Sequence, residues 1–243
     1  MITLKNIHVN FALGTPQEKQ VLKGVNLEIK PTDFISVLGT NGAGKSTLLN
    51  LLAGEITPTQ GSISGLFNVS RVFQDPLMGT CGQLTISENL ALAEKRGQRR
   101  NLSLAFKHSK QEHYENLLKT LGLGLEERLN TPISMLSGGQ RQAVSLLMAT
   151  LRPCQLLLLD EHTSALDPKM ARLVMKITNE IAATEKFPIF MVTHNLEDAL
   201  RYGNRMILLH DGKIKLDLNK EERSMLSAED LYRKLQKNTE NDT

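Results

Sequence analysis

Only two cysteines, Cys81 and Cys154, occur in the 243 residues. They stand far apart and outside any CxxC spacing, which excludes a disulfide framework and a cysteine-built zinc site and fits a reducing compartment. Neither sign of charge dominates, since 29 basic and 26 acidic side chains leave a formal net charge of +3. That is too small to carry a nucleic-acid footprint or a polybasic membrane anchor, so no nucleic-acid partner is expected. No apolar run approaches the roughly 20 residues that span a bilayer, so any membrane crossing falls to another chain. The opening residues, MITLKNIHVNF, alternate polar and apolar positions and are expected to form a strand, not a signal peptide. Internal repeats and low-complexity tracts are also missing. With 40% hydrophobic residues, the chain has material for one compact domain with a substantial core.

What is present reads as an α/β protein. Residues 2–9 and 21–29 have strand periodicity around a Gly-Thr-Pro loop, the pattern of an antiparallel pair. Residues 34–38 form a continuous apolar run, as expected of a strand buried on both faces, and residues 47–53 form a helix stopped by Gly54 and Pro58. Residues 63–73 are again strand-like. Residues 87–150 turn helical and polar, with interruptions at Gly97, Gly122 and Pro132, and are expected to form a subdomain of their own. Strand 155–159, helix 168–183, strand 188–192 and a hairpin of 205–209 with 214–218 around Asp211-Gly212 restore α/β order. Ser227 to Asp230 resembles a capped helix start, followed by a polar tail. The expected division is a core with a β-subdomain from 1–73 and 155–218, a helical subdomain at 87–150, and a C-terminal helix and tail at 219–243.

The segment Gly39-Thr40-Asn41-Gly42-Ala43-Gly44-Lys45-Ser46-Thr47 matches G-x-x-x-x-G-K-[ST] completely, with a buried strand before it and a helix after it. Gly39, Gly42 and Gly44 permit a tight turn and close backbone approach, and successive N–H groups at a helix start present positive potential to a polyphosphate. Lys45 reaches the β- and γ-phosphates, Ser46 offers its hydroxyl to Mg²⁺, and Thr47 is placed for the α-phosphate. The competing reading, a glycine turn with a surface lysine, does not account for the strand-loop-helix context.

The run Leu156-Leu157-Leu158-Leu159-Asp160-Glu161 puts two carboxylates at the C-terminal end of a buried strand, where open α/β sheets bind ligands. Alone it fits a strand ending in solvated acids; with Lys45 upstream, Asp160 is read as a Mg²⁺ partner and Glu161 as the polariser of an attacking water. Strand alternation is expected to aim the two carboxylates in opposite directions. Leu136-Ser137-Gly138-Gly139-Gln140 precedes a helical run, which makes a second helix N-terminus with a serine hydroxyl. It is either an ordinary cap or a second anion cradle, and since one loop already holds one nucleotide, the cradle would serve the nucleotide of another copy in a head-to-tail pair.

With these segments in order, the chain resembles the ATP-binding cassette family, the nucleotide-hydrolysing subunits of ABC transporters, over residues 2–218. The resemblance implies a RecA-like P-loop core with an antiparallel β-subdomain and an α-helical subdomain. It assigns Phe11 to adenine stacking, residues 39–47 to Walker A, Gln74 to the Q-loop, with the γ-phosphate and metal, and Ser137, Gly138, Gly139 and Gln140 to the signature. It also makes Asp160 the end of Walker B, Glu161 the catalytic glutamate, Ser164-Ala165-Leu166-Asp167 the D-loop and His194 the switch histidine. ATP and Mg²⁺ are the implied ligands. A second copy, an integral-membrane permease and, indirectly, a substrate-binding protein are the implied partners, with this chain peripheral on the cytoplasmic face of the inner (plasma) membrane. His162 stands where most relatives have proline, and Phe11 keeps the stacking face of the usual tyrosine without its hydroxyl. Residues 71–92 with Glu161-His162-Thr163 resemble ATPases of bacterial uptake systems for amino acids.

The rival reading is a soluble cassette of the iron–sulphur assembly type. DNA- or ribosome-acting cassettes are disfavoured, because there is no coiled-coil insertion, cysteine-rich module or second cassette. A GTP switch would need an Asn-Lys-x-Asp guanine reader, which is not evident. The basic run of Lys95, Arg96, Arg99 and Arg100 is a solvated loop or a contact for acidic permease loops or lipid headgroups.

Overall fold

A computed structural model describes residues 1–66, 68–97, 110–185 and 187–240; Arg99 and Arg100 of the basic run lie outside them. Contacts divide the chain into two compact units, residues 1–70, 155–161 and 182–243 in the first and residues 71–154 and 162–181 in the second.

In the first unit, β1 (Ile2–Phe11) pairs antiparallel with β2 (Lys19–Ile29) on one side and with β4 (Gln60–Ser64) on the other. Ile2 and Leu4 are buried, and so are Ile7 and Val9, a change from even to odd positions. The register shifts between Leu4 and Ile7, and Asn6 lies there at φ +47°. This bulge inserts one residue and keeps the apolar side chains on one face across the break.

The larger sheet runs β5 (Val69–Val72), β6 (Leu156–Asp160), β7 (Ile189–Val192), β3 (Phe34–Leu38), β8 (Arg205–His210), β9 (Lys213–Asn219). The pairs β6/β7, β7/β3 and β3/β8 are parallel, and β8/β9 is antiparallel. Strands β3 and β7 are buried at every position, as continuous apolar runs in a covered parallel sheet should be. The hairpin turn has Asp211 at φ +43° and Gly212 at φ +72°, the pair of left-handed residues that a type I′ turn needs.

The helix α1 (Lys45–Leu52) buries Leu48, Leu49, Leu51 and Leu52 in one apolar cluster with β1, β2, β3 and β6. Each leucine so buried contributes roughly 2 kcal/mol before chain entropy is counted. A smaller cluster joins Leu38 and the strand β8 to Ala199 of α6 (Leu196–Arg201) and Leu231 of α8 (Ala228–Glu240). Between β9 and α8 lies α7 (Lys220–Ser224). The capped start expected at Ser227 is present: its Oγ accepts from the N–H of Asp230 at 3.1 Å and its N–H donates to the Asp230 carboxylate at 3.1 Å.

The second unit holds α2 (Ile86–Glu94), α3 (Gln111–Lys119), α4 (Gly138–Thr150), most of α5 (Pro168–Thr184) and single turns of 3₁₀ helix at Pro76–Gly79, Leu125–Arg128 and Ile133–Met135. This body takes in the described residues of 87–150 together with residues 71–86, and α5, which buries Val174, Met175 and Thr178, belongs to it for residues 168–181. Thr85 and Glu88 form a capping box at the start of α2. The fully buried Asn89 closes the preceding loop by donating to the carbonyls of Cys81, Leu84 and Thr85 and accepting from the N–H of Cys81.

Candidate functional site

The phosphate loop begins where β3 leaves the sheet. A Cβ on Gly39 would come within 2.3 Å of the Leu209 carbonyl oxygen, and one on Gly44, at φ +101°, within 2.9 Å of Leu22 Cδ2. Crowding by β8 and β2 therefore demands glycine at both positions, and Gly42 at φ +80° needs it for conformation alone. Helix α1 starts at Lys45, two residues earlier than the expected 47, so that Lys45, Ser46 and Thr47 form its first turn with N–H groups that have no carbonyl behind them in the helix. Thr40 and Asn41 form the arch, and Ala43 is buried beneath it.

Lys45 is 8% exposed, and its ammonium donates to the carbonyls of Gly39 at 2.8 Å and Thr40 at 3.0 Å. Burial lowers its pKa, and the negative fields of Glu161 and Asp160 work in the opposite direction.

A support for this loop escaped the reading of the sequence. In the β8–β9 turn the N–H of Gly212 donates to the Ala43 carbonyl at 3.0 Å, and the Gly212 carbonyl accepts from the Lys23 N–H at 2.9 Å. The Lys23 ammonium and the Asp211 carboxylate lie 2.6 Å apart and fasten the same turn to β2. Asp211-Gly212 was legible as a turn, but nothing local in sequence tells that its N–H holds the phosphate loop.

Three adjacent parallel strands bring the acidic end together with this loop. Leu156–Leu159 are buried, and Asp160 at the end of β6 is half-buried. The expectation that strand alternation aims Glu161 is corrected here: the strand ends at Asp160, and Glu161 adopts the left-handed conformation at φ +44°. Its N–H donates to the Val192 carbonyl at 3.0 Å, and its Oε2 lies 3.2 Å from Nδ1 of His194. His194 follows β7 and precedes Asn195, whose side chain caps α6 by accepting from the N–H groups of Glu197 and Asp198. The His194 side chain is 62% exposed and that of Glu161 22%. Hence the first unit gathers the loop 39–47, Asp160, Glu161 and His194 at the C-terminal ends of β3, β6 and β7, where a ligand of an open parallel sheet belongs. Phe11, at the end of β1, presents a 44% exposed ring.

The other candidates belong to the second unit. Ser137 caps α4 in a capping box: its Oγ accepts from the N–H of Gln140 at 3.3 Å, and the Gln140 amide oxygen accepts from the N–H of Ser137 at 3.1 Å. Gly138 is exposed, whereas Gly139 is buried so closely on Met170 that a Cβ would meet its side chain at 2.5 Å. The Asp167 carboxylate caps α5 by accepting from the N–H groups of Lys169 and Met170. Gln74 is exposed and donates to Ser164 Oγ at 3.2 Å.

His162 is 2% exposed, and its Nε2 lies 3.1 Å from Thr178 Oγ1 on α5. The Thr178 hydroxyl donates to the Val174 carbonyl at 2.9 Å, which leaves its lone pairs to accept from an Nε2–H. Burial pushes the His162 pKa down to about 4, so the ring is neutral. Its place is structural, a buried link from the segment after Glu161 to α5.

The donor set suits Mg²⁺. Ser46 and Asp160 offer hard oxygen atoms, and the described residues contain no cluster of three His, Cys, Asp or Glu side chains that would form a dedicated cage. Magnesium held by one carboxylate, a hydroxyl, water and substrate phosphates needs no such cage.

Comparison with known proteins agrees with this geometry. A family model described as "ABC transporter" matches residues 22–164. The tyrosine transport ATP-binding protein of Clostridioides difficile (strain R20291) is 39% identical over 249 residues, covering 97% of this chain and 99% of its own. The thiamine import ATP-binding protein ThiQ of Yersinia pseudotuberculosis is 33% identical over 207 residues, with 79% and 82% covered. Among solved structures, the dimeric ATP-binding cassette MJ0796 in a post-hydrolysis state bound to ADP and Pi superposes with a TM-score of 0.76 at 28% identity, covering 90% of this chain and 99% of that one.

Proposed function

The chain belongs to the ABC transporter family and is an ATPase, and on that footing we propose that it is the ATP-hydrolysing subunit of a bacterial importer of an amino acid or similar small solute. It acts at the cytoplasmic face of the membrane on a separate permease; none of its described helices is long and apolar enough to cross a bilayer. The relatives that carry tyrosine and thiamine transport names support import and a permease partner. The rival reading, an iron–sulphur assembly ATPase, draws no support from them.

The observation that carries the chemistry is the Glu161–His194 pair at the strand ends beside the phosphate loop. ATP lies with its phosphates in the loop of residues 39–47 and its adenine on Phe11, and Lys45 leaves the loop carbonyls to pair with the β- and γ-phosphates. Ser46 and Asp160, with Gln74, would hold Mg²⁺, which would neutralise phosphate charge. Ser137, Gly138 and Gly139 of the partner subunit, with Gln140 and Asp167 at the same junction, grip the γ-phosphate from the opposite side and close a head-to-tail dimer.

Glu161 orients a water in line with the γ-phosphorus and takes its proton as the new P–O bond forms. The bond to the β–γ bridging oxygen breaks, its electron pair leaves with ADP, and His194 stabilises the charge on the transferred phosphoryl group. Closure of the dimer is the step that drives the permease, and loss of the bridging phosphate lets the halves part.

Purification of the tagged chain from membranes tests the assignment. An integral-membrane permease is expected to co-purify and to stimulate Mg-ATP turnover; recovery only from the soluble fraction with iron–sulphur assembly proteins overturns it.

A further inference from the structure

The guanidinium of Arg223, on α7, is 6% exposed and donates to three carbonyls at the C-terminal end of α6: Ala199 at 3.3 Å, Gly203 at 2.6 Å and Tyr202. No carboxylate faces it among the described residues. The last carbonyls of a helix have no partners within it, and a cation there satisfies them and complements the helix dipole. We propose that Arg223 is a positioning residue for ATP hydrolysis, which fixes α6 at its far end and thereby places His194 against Glu161.

The geometry gives the link a direction. Helix α6 has six residues, too short to persist without external support. Its near end is held by the Asn195 side chain, and Asn195 is the residue next to His194. Its middle rests on Leu231 and β8 through Ala199. Its far end depends on Arg223, with Ser36 Oγ donating to the same Tyr202 carbonyl at 3.2 Å.

The His194 side chain, 62% exposed, gains little restraint from packing, so its position follows its backbone, which is tied to β7 on one side and α6 on the other. The base of the link is also rigid: α7 follows β9 directly, and Asn219 caps it in a box with Glu222. The C-terminal segment thus becomes part of the hydrolytic apparatus without touching nucleotide.

The inference rests on the role given above to His194, and the test separates the two. Single-turnover hydrolysis of γ-labelled ATP is measured for the full chain carrying Arg223→Met or Arg223→Lys, each alone and with His194→Ala, alongside nucleotide affinity and melting temperature. Arg223→Met is expected to slow hydrolysis about tenfold with ATP affinity within about twofold, and to add nothing in the His194→Ala background. Arg223→Lys keeps the charge and part of the donor set, gives a smaller loss with the same pattern, and carries the comparison if the Met variant does not fold. Equal fold-losses in both backgrounds, or a loss of affinity in step with rate, overturn the link alone. Normal hydrolysis by His194→Ala overturns the reading of His194 itself.

Discussion

Oε2 of Glu161 lies 3.2 Å from Nδ1 of His194, two residues 33 positions apart that meet because β6 and β7 are neighbours. In the proposed reaction the carboxylate accepts a proton from water without leaving this anchor, and the imidazole keeps its other nitrogen for the phosphate. Glu161→Gln preserves shape and removes the basic oxygen. Turnover should fall by at least about 100-fold, the range for a lost general base, while ATP binding persists and dimer accumulates on a sizing column with Mg-ATP. Wild-type turnover in this variant excludes the role given to Glu161.

The turn that supports the phosphate loop makes a second, remote lesion of nucleotide binding. Gly212→Ala places a Cβ within 2.2 Å of the Val21 carbonyl oxygen at a residue with φ +72°. The strain, about 1–3 kcal/mol, should lower the melting temperature and, by shifting the N–H that holds Ala43, weaken ATP binding several-fold. Calorimetric titration compares it with Lys45→Ala, which removes the ammonium now held by the Gly39 and Thr40 carbonyls and should lose most of the affinity. Unaltered affinity in Gly212→Ala would show that the loop keeps its shape without the turn.

Acid sensitivity should come partly from His162. Its pKa is about 4 when folded, against the ordinary histidine value of 6.5, so the unfolded chain binds more protons between those limits. Stability from this group is therefore full above about pH 6.5 and is lost as the pH falls toward 4, by up to roughly 3 kcal/mol. In His162→Asn the acid limb of a urea-melt series from pH 7.5 to 4.5 should flatten. An unchanged slope would mean that the imidazole is charged, or reaches solvent, in the folded protein.

Ser137→Arg tests the head-to-tail pair. The bulk and charge fall on an exposed cap, so the cost to one copy is about 1 kcal/mol for the lost capping bond. Monomer binding of ATP should survive and ATP-driven pairing should vanish in light scattering of the Glu161→Gln background. Persistent pairing would place the signature elsewhere than at the junction.

The shapes of the loop at 39–47 and of the helix start at Ser137 were legible because each is contiguous and local geometry follows from its own residues: Gly39 and Gly44 sit where a Cβ would clash, and Ser137 caps its helix. The strand run 156–160 was legible for the same reason. The Glu161–His194 contact was not, since it depends on sheet order, and the expected alternation failed because the strand ends at Asp160, one residue before Glu161. Arg223 gave no signal at all. It sits in the polar stretch KEERS, indistinguishable from a solvated helix face until the carbonyls of Ala199, Tyr202 and Gly203 surround it.

On the role proposed for Glu161, durability and activity are opposed there. A left-handed backbone, at φ +44°, favours glycine or asparagine, and a glutamate held there carries a standing conformational penalty of order 1 kcal/mol. The protein would be hardier with either replacement and would then grip ATP without consuming it.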